Sequence, residues 1–239
     1  MPMTPAQRHR ARVMAAQAAM AAAAESPHGE MQGGAYELMQ AQLHEHLRTL
    51  KSIQSVQLKV QAKHTMLADY EPYLDGVLQA DAGVPDIVLS TVLVWHIDVG
   101  NWNRALQIAT YAMRHSLPLP DKYQRDLPTL LMDEISEAAI AGRLAGAEAL
   151  ATLAQVDMLT AEKDAPDQAR AKLYKAIGWA AMGKTSTHDV DPKTLQLDMV
   201  QIALPRLRRA IELHVQIGVK KDVERLERRL NELQPQAPN

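Results

Sequence analysis

Hydrophobic and polar positions organise this chain around residues 84–120, VPDIVLSTVLVWHIDVGNWNRALQIATYAMRHSLPLP. Ile87, Leu89, Val92, Leu93, Trp95 and Ile97 leave almost no polar face, which predicts a helix placed in the core. Gly100 and Asn101 end it. Trp102, Ala105, Leu106, Ala109, Ala112 and Met113 then recur at helical spacing and predict a second helix, whose small alanines let a neighbour approach closely.

The same periodicity extends in both directions. Thr4-Pro5-Ala6-Gln7 is a helix start: a capping threonine, a proline at the first helical position and a glutamine that completes a capping box. The alanine-rich stretch that follows carries Arg8 and Arg12 one turn apart, with Arg10 to the side. A basic start before an alanine run also resembles a signal peptide, a reading that Gln17 weakens. Glu25 to Gly34 reads as a flexible linker by its proline and glycine content.

Residues 36–67 predict one long amphipathic helix. Leu43, Leu47, Leu50, Ile53, Val56 and Val60 form its apolar face, and Arg48, Lys51, Lys59 and Lys63 fall opposite. A solvated basic side and a phosphate-facing stripe both fit that pattern. Further helices are expected at 69–79, after the proline-rich 116–128 loop, at 147–159 and at 167–182. Leu195–Gly218 and Val219–Leu233 close the chain. In the last, Val219, Val223, Leu226, Leu230 and Leu233 make a two-heptad seam, too short for an independent coiled coil and expected to dock on the chain itself or on a second copy. The tail QPQAPN reads as a frayed end.

Composition supports an all-α fold. The chain is 239 residues with no phenylalanine, and its apolar residues are chiefly helix formers. The order Gly100, Trp102, Ala105, Ala109, Ala112, Pro120 resembles the second half of a tetratricopeptide helical hairpin. With no cysteine, disulfide and thiolate chemistry are excluded. No apolar run of about 18 residues exists, so no membrane span is expected. The pattern divides the chain into 1–35, a basic helix and linker; 36–83, a DNA-binding or oligomerisation region; and 84–239, a tetratricopeptide-like helical domain.

Net charge is −2, but it is unevenly placed. Residues 1–66 carry seven Lys/Arg against four Asp/Glu, residues 67–165 six against fifteen, and residues 166–239 thirteen against nine. Basic ends around an acidic middle locate any nucleic-acid contact at the ends.

The search for reaction chemistry is largely negative. Residues 178–185, GWAAMGKT, fit a nucleotide-binding loop letter for letter. A helical stretch precedes them where that loop needs a strand, and a polar loop follows where it needs a helix. Asp167, Asp191 and Lys193 have roughly the letters of a metal-dependent nuclease. Capping of the following helix by Asp167 or Asp191 accounts for them better. His44 and His46 are two residues apart, so a helix cannot aim both at one metal. No catalytic residue, metal ligand or cofactor is expected.

Several segments together resemble one family. They are TPAQRHR, YELM, HLRTLKSIQSVQLK, YEPYLDGVL, the 86–120 hairpin, ARAKLYKAIG and LRRAIELHVQIGVKKDVERLERRL. In this order they are similar to the small terminase subunit, also called the terminase endonuclease subunit, of tailed bacteriophages with cohesive ends. The resemblance implies a DNA-packaging protein of the host bacterial cytoplasm that binds the packaging site on phage double-stranded DNA. It also implies a homo-oligomer, commonly a ring, and recruitment of a large terminase subunit that supplies the ATPase. Arg8, Arg10, Arg12, Lys51, Lys59 and Lys63 are the expected phosphate contacts. Leu43, Leu47, Leu50, Leu226 and Leu230 are the expected oligomerisation contacts. A helical nuclease with its own metal site and an interaction module without DNA contact are the competing classes. Salt-dependent DNA binding and metal-dependent cleavage separate the three.

Overall fold

The computed structural model describes residues 3–25, 31–120 and 124–234. Half of the expected linker, residues 26–30, and all but the first residue of the expected frayed tail fall outside them. Among the described residues the fold is all-helical, with eleven α-helices, one 3-10 turn and no strand. The chain divides into two compact units, residues 1–127 and 128–239. Residues 35 and 83, where the sequence pattern placed boundaries, both lie inside the first unit.

The first unit holds α1 (Pro5–Glu25), α2 (Gly34–Ser52), α3 (Val56–Leu67), α4 (Glu71–Ala80), α5 (Ile87–Asp98) and α6 (Trp102–Arg114). α1 opens with the expected capping box: Thr4 N–H donates to Gln7 Oε1 at 2.8 Å and Gln7 N–H to Thr4 Oγ1 at 3.3 Å. Its buried positions are Ala15, Ala19 and Ala22, and it packs on α2 and α4. The crossing with α4 depends on Gly76, because a Cβ there would lie 2.2 Å from the carbonyl oxygen of Arg12. The alanine run is therefore a packing surface.

α5 and α6 form the expected hairpin, with every residue from Val88 to Ile97 buried. Gly100 turns the chain at φ 77°, and Ala105, Ala109 and Ala112 are buried on α6. Asp86 caps α5: its Oδ1 accepts from Val88 and Leu89 N–H at 2.8 and 3.0 Å, and its Oδ2 accepts from Tyr73 O–H at 2.7 Å. Burial pushes the Asp86 carboxyl up to about 6, against the pull of these three donors.

The raised value makes the native state bind more protons than the unfolded chain between about pH 4 and 6. The contribution of Asp86 is thus full below pH 4 and is lost as pH rises through 6. Asp86→Asn keeps the acceptor and removes the titration. Lowering pH from 7 to 4 is expected to raise wild-type stability relative to Asp86→Asn by about 1–3 kcal/mol. Urea midpoints of both proteins across that range check it.

The second unit holds α7 (Leu127–Ile140), which starts at the boundary, then α8 (Gly146–Thr160), α9 (Asp167–Met182), α10 (Leu197–Leu213) and α11 (Lys220–Leu233). A 3-10 turn at Pro192–Thr194 precedes α10. α9 packs on α8 and α10, and α10 on α11. The crossing of α9 and α10 is close at Gly178, where a Cβ would sit 2.4 Å from Leu207 Cδ2. Trp179, Leu195, Val200, Leu204, Leu207, Val219, Val223 and Leu226 form the core, with Leu230 and Leu233 at its margin.

The heptad seam thus docks on its own chain. α10 ends five residues earlier than the expected helix, with His214 extended at ψ 97°.

Candidate nucleic-acid interface

The expected continuous helix over residues 36–67 is two helices. α2 keeps its helical hydrogen bonds to Ser52, whose Oγ donates back to the Thr49 carbonyl at 2.7 Å. Ile53 then turns extended, at φ −83° and ψ 128°. Ser55 restarts the helix as a cap, its Oγ accepting from Leu58 N–H at 3.3 Å. A β-branched residue followed two positions later by a capping serine was the available signal. The unbroken apolar step through Ile53, Val56 and Val60 concealed it.

The break separates the basic positions. Lys51 lies in the last turn of α2, where a cation complements the helix dipole, whereas Lys59 and Lys63 lie on α3. Lys51 is exposed and Lys59 half-buried, and neither has an ion-pair partner among the described residues. Lys63 is different, because its ammonium pairs with the Asp98 carboxylate at the end of α5. Arg48 pairs with Glu45 on its own helix. Over residues 46–68 the sequence has Arg48, Lys51, Lys59 and Lys63 and no carboxylate.

Arg8, Arg10 and Arg12 are exposed on α1. Among the described residues Arg8 and Arg10 have no ion-pair partner, and Arg12 hydrogen-bonds His9 Nδ1 at 3.2 Å. Arg8 and Arg12 line a cleft with Glu71 and Asp75, both of which also bind Arg104 Nη2, at 2.8 and 2.6 Å. Arg10 borders an apolar groove with Met14, Leu38 and Met39.

The leucines expected at an oligomer contact are placed inward. Leu43, Leu50 and Leu226 are buried, and Leu47 and Leu230 are partly covered. The apolar surface of the first three is taken up within the chain. The exposed large apolar side chains lie elsewhere, at Met14, Leu38, Val56, Leu58, Met158, Met199, Ile202 and Val215 among others.

The two chemical motifs resolve as structure. Gly178 is buried in mid-helix, and Gly183 ends α9 at φ 72° as its left-handed cap. Lys184 turns back onto the protein, 2.7 Å from Asp222 Oδ1 and 2.9 Å from Asp189 Oδ1. Burial works against the Lys184 charge, but the two carboxylates outweigh it and hold the ammonium above its ordinary range. Asp222 also accepts from Trp179 Nε1 at 3.0 Å. Sequence reasoning missed Asp222, whose partners lie about forty residues earlier.

Asp167 begins α9, whereas Asp191 lies beyond its end, at the start of the 3-10 turn. Asp191 caps the 3-10 turn by accepting from Lys193 N–H at 3.0 Å, whereas Asp167 makes no cap bond. Among the described residues no group of three or more His, Cys, Asp or Glu could hold a metal ion. No helix there is long and apolar enough to cross a membrane.

The family described as phage small terminase subunit matches residues 40–168. The protein named "Terminase, endonuclease subunit" of Escherichia phage P2 is 38% identical, over 98% of this chain and 90% of its own length. The chain belongs to the phage small terminase subunit family. No solved structure matches it.

The matched span of this small terminase subunit starts within α2 and takes in the α2–α3 break, the carboxylate-free stretch and the α5–α6 hairpin. The likeness to the phage P2 protein extends over nearly the whole chain, α1 and α11 included.

Proposed function

We propose that this small terminase subunit binds the packaging site on phage double-stranded DNA in the host cytoplasm, self-associates, and recruits and regulates the large terminase subunit. The observation that carries the reading is the run from residue 46 to 68, with four cations and no carboxylate, inside the span matched to the family. Arg8, Arg10, Arg12, Lys51 and Lys59 would meet phosphates. The ion pair with Asp98 occupies Lys63 and leaves it out of the set. The exposed Met158, Met199 and Ile202 are apolar surface available to a second copy or to the large subunit. The α5–α6 pair, with its buried alanines, supports a tetratricopeptide-like interaction hairpin. Titration of duplex DNA at several salt concentrations tests the reading, since phosphate contacts make affinity fall with salt.

The name of the phage P2 relative favours a second reading, an endonuclease in its own right. Phosphodiester hydrolysis needs a positioned nucleophile and charge stabilisation at the phosphate, usually by metal held on several carboxylates. Asp167 begins α9, and Asp191 caps the 3-10 turn that follows it. Purified protein with cohesive-end DNA and Mg²⁺ or Mn²⁺ is therefore expected to leave the DNA uncut until a large subunit is added. Site-specific cleavage that disappears in Asp167→Ala or Asp191→Ala would establish the endonuclease reading.

A further inference from the structure

The first two turns of α3 are little covered by the protein. Val56 and Leu58 are 75% and 55% exposed, and Leu67 is the only buried residue of the helix. Gln57, Gln61 and Thr65 follow at four-residue steps and are all exposed. Thr65 Oγ donates to the Gln61 carbonyl at 3.3 Å. The side-chain amides of Gln54, Gln57 and Gln61 make no hydrogen bond among the described residues. The face therefore offers unengaged donor–acceptor pairs beside exposed methyl groups. It begins at a helix N-terminus, where backbone N–H groups and the dipole favour an anion, within the stretch that lacks any carboxylate.

We infer that the exposed N-terminal half of α3 is the sequence-reading element, with Gln57 and Gln61 addressing base edges in the major groove of duplex DNA. This rests on the duplex binding proposed above and adds the source of its specificity. A glutamine amide matches adenine N6 and N7 in a two-bond pairing, and an exposed aliphatic side chain suits the thymine methyl. Leu58 and Val56 supply that apolar contact. Lys51 and Lys59 belong to the phosphates, which position the helix without carrying sequence information. The flanking cations Lys51 and Lys59, without an ion-pair partner among the described residues, favour this occupant over a second copy of the chain, for which exposed Val56 and Leu58 would be the attraction.

The experiment is selection from a randomised duplex pool, followed by competition between the best enriched duplex and its scrambled form. Wild type is expected to enrich a motif containing A·T pairs. Gln57→Ala/Gln61→Ala is expected to lose at least tenfold of the preference for that duplex, with its affinity for scrambled DNA and its salt slope unchanged. Gln57→Asn/Gln61→Asn, which keeps the amides on shorter arms, is expected to retain part of the preference.

An unchanged preference in the alanine variant overturns the inference while duplex binding stands. Salt-dependent binding with no enriched motif does the same. Failure of wild type to bind any duplex overturns both the inference and the reading beneath it. A Val56→Asp/Leu58→Asp variant that changes oligomeric state while keeping the preference assigns the face to a second copy and overturns the inference.

Discussion

Asp222→Ala is expected to lower the stability of the second unit by about 3 kcal/mol, the low end of the range for removing one partner of a buried ion pair. Asp222 is buried at the start of α11, where one carboxylate oxygen takes Lys184 and the other Trp179 Nε1. Alanine leaves the indole N–H without its acceptor and Lys184, with 13% of its side chain exposed, short of one partner. The low end applies because Lys184 keeps Asp189. Asp222→Asn retains an acceptor for Trp179 and loses the charge, so about half the loss is expected. Urea unfolding followed by tryptophan fluorescence reads both variants. A midpoint unmoved in Asp222→Ala would show that the pair contributes nothing net.

The second large effect concerns DNA. Replacing Arg8, Arg10, Arg12, Lys51 and Lys59 together by glutamine is expected to remove about 4–5 units from the slope of log affinity against log salt, at roughly 0.9 per phosphate contact. Between 50 and 200 mM salt the same contacts amount to a loss of about 10²–10³-fold in wild-type affinity. The variant should be nearly flat across that range. Lys63→Gln is a contrasting case: its ammonium is engaged by Asp98, so the slope should stay as in wild type. Among the described residues none of the five substituted side chains has a carboxylate partner, and their loss leaves no buried charge unpaired.

Local signals in the sequence were good guides to the helices. The Thr4–Gln7 capping box, the Gly100 turn and α9 at 167–182 are found as expected, because each depends on neighbours within a few residues. The α2–α3 break was written at Ser55 but overridden by apolar residues that kept helical step across it. What the sequence could not display were partners made by tertiary structure. Lys63 meets a carboxylate 35 residues away and Lys184 one 38 residues away, and each changes the reading of its motif. The leucines expected at an oligomer contact show the same limit. Amphipathic periodicity says that a face is covered, and Leu43, Leu50 and Leu226 are covered by their own chain.

The central claim is that Arg8, Arg10, Arg12, Lys51 and Lys59 meet DNA phosphates. It is tested most directly by titrating wild-type protein against labelled duplex DNA at several salt concentrations. The account predicts a straight line of log affinity against log salt with a slope of about −4 to −5. A slope near zero, or no binding at the lowest salt, would contradict it.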